Sequence, residues 1–131
     1  MRLLLDTNIV LPMIDGAGRS LPQPILRALH DDDVELWAST VSIWEVAIKH
    51  RLGKLPLPCP LADWPEALAS LNIMVLPIRT AHVIQNFDPD IPLKDPFDRL
   101  LLGICAAERM LLLTTDRLLA AHPLSWRDSA A

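Results

Sequence analysis

Four short runs of almost uninterrupted apolar residues, each followed at once by a turn or a helix start, restrict this chain to few folds. Arg2-Leu3-Leu4-Leu5 leads into Asp6-Thr7-Asn8, and Glu35-Leu36-Trp37-Ala38 into Ser39-Thr40. Ile73-Met74-Val75-Leu76 ends at Pro77, and Leu111-Leu112-Leu113 ends at Thr114-Thr115-Asp116. A strand that is apolar at successive positions has both faces covered, as strands of a parallel sheet do. Parallel neighbours need long crossovers, and helices supply them. The intervening segments predict those helices. They are Ile9 to Ile14 with Pro12 in its first turn, Gln23 to His30, and a helix capped by Ser39 or Thr40 that extends to about Leu52. Further helices are expected around Leu61 to Leu71 with a kink at Pro65, from Ala81 to about Phe87 under a Thr80 cap, and from Pro96 to about Met110. A short one follows Asp116, and Leu124-Ser125-Trp126 reads as a fifth, edge strand. Such alternation predicts an α/β fold, a mostly parallel sheet in one domain over residues 1–131, with the site at the carboxyl ends of the strands.

Composition narrows the function classes. Hydrophobic residues make up 51% and charged residues 21% of 131, which suits a packed core rather than a disordered chain. No apolar run reaches the ~20 residues of a membrane span, and Asp6 interrupts the only apolar stretch near the start, so neither a membrane segment nor a secretory signal is expected. Cys59 and Cys105 form no close-spaced metal pair, and the absence of a disulfide framework points to a cytoplasmic protein. The net charge of -4 is not that of a broadly basic nucleic-acid binder. Lys49-His50-Arg51, Lys54 and Arg117 give local basic character and read as solvated faces. Asp31-Asp32-Asp33 reads as a solvated helix end.

The chemistry rests on acidic residues at element ends. Asp6 and Asp116 each close an apolar strand. If those strands are neighbours, both carboxylates emerge on one edge, where two charges ~4 Å apart repel by about 4 kcal/mol at an effective dielectric of 20. Such a pair needs a cation or a shared proton. Oxygen donors without Cys or His point to Mg²⁺ or Mn²⁺ rather than zinc. Each Asp alone also reads as a turn or cap residue. Asp95 before Pro96 reads as an N-cap, and Asp98 falls in the first helical turn, where a carboxylate favours the helix dipole. Glu45 sits within Ile43-Trp44-Glu45-Val46-Ala47-Ile48, on a helix apolar over a wide arc. A buried unpaired carboxylate is costly, so it is a ligand, a partner of Lys49, a capping partner of Ser42, or outward-facing. The apolar stripe of that helix reads as Val41, Trp44, Ile48 and Leu52, which makes Trp44 a core residue. Thr114, Thr115 and Arg99 are secondary candidates for water or phosphate contacts. Trp37, Trp64 and Trp126 read as packing residues, and His30, His50, His82 and His122 show no ligand spacing.

Four motifs in order, Leu4-Leu5-Asp6-Thr7-Asn8, Ser42 through Lys49, Asp95-Pro96-Phe97-Asp98-Arg99-Leu100-Leu101 and Leu113-Thr114-Thr115-Asp116, resemble the PIN domain, most closely the VapC-type toxins of bacterial toxin–antitoxin pairs. The resemblance covers essentially the whole chain. It implies a three-layer α/β/α sandwich and a Mg²⁺- or Mn²⁺-dependent endoribonuclease that hydrolyses RNA phosphodiester bonds with metal-activated water. Asp6, Glu45, Asp98 and Asp116 would form its acidic metal set. It also implies a homodimer and a small antitoxin protein as partner. One position departs from the subgroup pattern: Leu93 stands where a histidine often precedes the Lys94-Asp95-Pro96-Phe97-Asp98 run.

Two rival readings have distinct signatures. A phosphatase of the haloacid-dehalogenase kind would use Asp6 as nucleophile with a second aspartate two residues on, where this chain has Asn8. A PIN-like module that only binds RNA or a partner is expected to have lost acidic positions, and all four are present.

Overall fold

A computed structural model of the chain describes residues 1–91 and 95–129. Its centre is a four-stranded sheet of β1 (Arg2–Leu5), β2 (Glu35–Ser39), β3 (Ile73–Leu76) and β4 (Leu111–Leu113). The strand order is β3-β2-β1-β4, and every pairing is parallel. Leu3 sits opposite Leu36 on one side and Leu111 on the other, so β1 is central and its three leucines are fully buried. That explains a strand without alternation: each face meets its own core.

Leu3, Leu5, Leu36, Ala38, Ile73 and Leu113 face one core, which α1 (Thr7–Asp15), α2 (Gln23–Leu29) and α4 (Trp64–Ser70) cover with Ile9, Val10, Ile25, Leu29, Trp64 and Leu68. Leu4, Leu76 and Leu112 face the other, closed by α6 (Pro96–Glu108) through Leu101, Leu102, Ile104 and Cys105. The result is the expected three-layer α/β/α sandwich. Helix α3 (Thr40–Arg51) packs against both α1 and α6 and gives Val46 to the first core and Val41 to the second. It thus bridges the layers at the carboxyl edge of the sheet. Two short helices, α5 (Thr80–Val83) and α7 (Arg117–Ala120), flank the second core.

Several local expectations change. Helix α1 begins at Thr7 rather than Ile9, because the Asp6 carboxylate accepts from the Thr7 N–H and caps it. Pro12 therefore lies inside the helix. Leu61–Asp63 forms a 3₁₀ turn and α4 starts only at Trp64, so Pro65 stands in the first turn, where its missing N–H costs nothing. Helix α5 stops at Val83, and Phe87 instead packs edge-on to the His122 ring, 5.5 Å between centroids. The proposed fifth strand is a single parallel bridge of Ser125 to Leu112, closed by the Leu112 N–H on the Leu124 carbonyl and the Trp126 N–H on the Leu112 carbonyl, each at 2.8 Å. Both cysteines are free, and no helix among the described residues is long and apolar enough to cross a membrane.

Trp44 is the largest correction. It is 53% exposed, and Leu52 is 62% exposed. The buried face of α3 is Val41, Ser42, Glu45 and Val46, so of the apolar stripe read from the sequence only Val41 lies on it. Trp44 packs its ring at 69° against Phe97, 5.2 Å between centroids, on the outer side of α3 and α6.

Candidate active site

Neighbouring β1 and β4 end together. Asp6 donates its N–H to the Leu113 carbonyl at 2.9 Å, extending the ladder one residue past the strand. The residue is 5% exposed, and its carboxylate is held at both oxygens. Oδ1 accepts from the Thr7 N–H and Oδ2 from the Thr114 hydroxyl, each at 2.7 Å. Thr114 Oγ1 in turn accepts the Asp116 N–H at 3.0 Å, so one buried hydroxyl joins the two acidic strand ends. Asp116 caps α7, its Oδ1 accepting from Leu118 and Leu119 N–H.

Glu45 enters from α3. Its Oε1 lies 2.8 Å from Thr7 Oγ1, which lies 2.9 Å from Ser42 Oγ. A threonine has one hydroxyl proton; Thr7 gives it to the carboxylate and accepts from Ser42. Glu45 Oε2 accepts from Lys49 Nζ at 2.6 Å, one helical turn on. Of the readings left open for Glu45, pairing with Lys49 holds, whereas the outward-facing position and the Ser42 capping box do not. Asp95 caps α6 by accepting the Phe97 N–H at 2.9 Å, which presents Asp98 in the first turn. Asp6, Glu45, Asp98 and Asp116 all line one cleft of about 300 Å³, together with Thr7, Asn8, Lys49 and Asp95.

The cleft is charged against itself. Burial pushes the Asp98 carboxyl from 3.8 up to about 7, helped by the charges of Asp95, Asp6, Glu45 and Asp116. Burial also raises Asp6; donation from Thr114 and from the Thr7 N–H works against it, and the Glu45 and Asp116 charges add to the rise. Lys49 is held protonated above its usual range, chiefly by its bond to Glu45. A set of carboxylates disfavouring its own ionisation, with oxygen donors only, fits a hard divalent cation. Among the described residues, no three acidic, histidine or cysteine side chains converge closely enough to hold an ion between them as they stand.

The sequence pattern of the PIN domain family matches residues 3–123. The chain belongs to the PIN domain family. PIN domains are generally nucleases, which places the cleft in a family of hydrolases acting on nucleic acid. No curated protein matches the chain. Among solved structures, VapBC2 from Rickettsia felis, bound to a DNA fragment from its promoter, is similar at a TM-score of 0.60 and 15% identity. That alignment covers 95% of this chain and 96% of the other. At this identity the likeness is one of fold.

In this PIN domain the secondary candidates separate. Thr114 is buried and bonded to Asp6, whereas Thr115 is exposed. Arg99 pairs with Asp90 and lies 5.1 Å from the centre of the Phe87 ring. His82 is buried on α5, its Nδ1 accepting the Arg79 N–H and its Nε2 donating to Glu108 of α6. Trp64 is fully buried, and Trp37 donates to Glu35. Leu93 lies outside the described residues. Thr7 and Ser42 were missed as site residues. Their signal was a hydroxyl directly after Asp6 and another three residues before Glu45, on the same helical face.

Proposed function

We propose that this PIN domain is a VapC-type toxin, a Mg²⁺- or Mn²⁺-dependent endoribonuclease. The observation that carries the reading is that acidic side chains from β1, α3, α6 and the β4 end line one cleft and repel one another there. Asp6, Asp98 and Asp116, with Glu45 beside them, would hold the ion. When bound, a divalent cation activates water for attack on phosphorus and neutralises the charge that develops on the phosphoryl oxygens. Thr114 and the Thr7 N–H fix both oxygens of Asp6, so that carboxylate is oriented before any ligand arrives. Glu45 is fixed by Thr7 and Lys49 in the same way. Hydrolysis by water predicts products with a 5′-phosphate and a 3′-hydroxyl.

The reading carries with it a cytoplasmic location, a homodimer and a cognate antitoxin. The VapBC2 likeness supports the partner. The exposed Trp44, Val83 and Ile84, near an apolar groove of about 270 Å³ between α3 and α6, support burial of that face in an assembly. The deciding experiment incubates purified protein with a panel of structured RNAs in Mg²⁺ or Mn²⁺ and in EDTA, beside Asp6→Asn. Metal-dependent cutting that Asp6→Asn lacks is expected. An Asp6→Asn protein that folds and still cuts at the wild-type rate would refute the scheme.

A further inference from the structure

The four carboxylates are not compensated alike. Asp6 is held by neutral donors, the Thr7 N–H and the Thr114 hydroxyl. Asp116 is held by backbone N–H groups of α7. No hydrogen-bond donor among the described residues reaches the Asp98 carboxylate. Glu45 alone among the four has a full cation of its own, the Lys49 ammonium at 2.6 Å, and its other oxygen is taken by Thr7. Both partners of Glu45 are themselves anchored, Lys49 on the same helix and Thr7 by Ser42. A divalent cation is drawn to uncompensated charge, and in this cleft that charge lies on the three aspartates.

We propose that Lys49, and not the divalent cation, is the standing counterion of Glu45, so that Glu45 is a positioning residue and the ion is held by Asp6, Asp98 and Asp116. The inference rests on the metal-nuclease reading of the cleft and divides its acidic set into two roles. Glu45 acts through Thr7: its Oε1 accepts the Thr7 hydroxyl hydrogen bond, and the Thr7 N–H is the donor that orients Asp6 Oδ1. Lys49 also sets the metal concentration at which the cleft fills, because its charge opposes entry of a second cation and withholds Glu45 from it.

The test is Mn²⁺ affinity of the purified protein without RNA, read from the electron paramagnetic resonance signal of free Mn²⁺. Glu45→Gln is expected within about threefold of wild type, whereas Asp98→Asn weakens binding at least tenfold. Lys49→Met removes the opposing charge and frees Glu45, and is expected to tighten binding about tenfold, equivalent to ~1.4 kcal/mol. Lys49→Arg keeps the charge and stays at the wild-type value. If Lys49→Met, with Glu45 left unpaired, does not fold, the double variant Glu45→Gln/Lys49→Met removes both charges and is expected within about threefold of wild type. A Glu45→Gln loss as large as that of Asp98→Asn, a Lys49→Met affinity within threefold of wild type, or a tenfold loss in the double variant overturns the assignment. Wild type without saturable Mn²⁺ binding refutes the metal-nuclease reading itself. Binding lost in Asp6→Asn but unmoved by Lys49→Met refutes only the role given to Lys49.

Discussion

Asp98→Asn should stabilise the metal-free protein at pH 8 while destroying the site. The Asp98 carboxyl is pushed from 3.8 up to about 7, first by burial and then by four surrounding acids. In an unfolded chain it would ionise near pH 4. Between those values the native state holds a proton that the unfolded state has lost, so stability falls as pH rises through that window. At 1.36 kcal/mol per pKa unit the full rise from 3.8 to about 7 corresponds to a ceiling of about 4 kcal/mol. Asp98 is only half-buried, and solvent screening reduces this to roughly 1–2 kcal/mol. Loss of a charge in the first turn of α6 gives back a few tenths. For a chain of this length about 3–4 °C accompanies each kcal/mol, so the melting temperature in EDTA at pH 8 should rise by roughly 3–6 °C. At pH 4, where the wild-type carboxyl is protonated in the fold, the gain should shrink to about 1 °C or less. Differential scanning fluorimetry at the two pH values measures it. No gain at pH 8, or an equal gain at both, would show that the acidic cluster does not load strain onto the fold.

Three further outcomes are expected. Thr7→Val strands the Glu45 Oε1 and the Ser42 hydroxyl, both buried, and should cost about 2–3 kcal/mol in urea unfolding, with Thr7→Ser near wild type. A loss below 0.5 kcal/mol would mean that water replaces the hydroxyl. Gly103→Ala would set a Cβ 2.8 Å from the His82 carbonyl oxygen, a clash with backbone that should cost about 1–3 kcal/mol; unchanged stability would show that α5 shifts freely on α6. Saturating Mn²⁺ should raise the wild-type melting temperature more than that of Asp98→Asn, since binding to the folded state alone adds stability by mass action.

The strands were legible because burial on both faces leaves no alternation to misread: Leu3, Leu4 and Leu5 are apolar for one cause, and their bounds came out within a residue. Asp95-Pro96 was legible as a helix start because cap and proline chemistry is local. Trp44 was not. The spacing of Val41, Trp44, Ile48 and Leu52 is a valid helical stripe, but α3 packs at a sheet edge between α1 and α6 rather than flat on a core. What it turns inward there is Ser42 and Glu45, and no hydrophobic periodicity reports a polar inward face. Nor does the sequence say that Thr7, rather than a backbone group, satisfies Glu45, since the two are joined only when α1 and α3 meet in space. Asp6 and Asp116 were legible as strand ends, yet their link through Thr114 depends on the β1–β4 pairing that a linear reading cannot supply.

The same contacts show why this edge of the sheet is built as it is. A carboxylate buried without partners would simply protonate or unfold the segment around it. The chain avoids that by giving each inward acid local donors: Thr7 and Thr114 for Asp6, Thr7 and Lys49 for Glu45, and the α7 N–H groups for Asp116. These donors hold each charge in place, yet burial first and the neighbouring acids second still push Asp98 and Asp6 upward. Asp98, the one without such a donor among the described residues, is pushed up to about 7, by burial and then by the four acids around it. Local satisfaction beside collective repulsion would suit a cation site: the fold tolerates the acids one at a time, and an arriving cation would relieve them together.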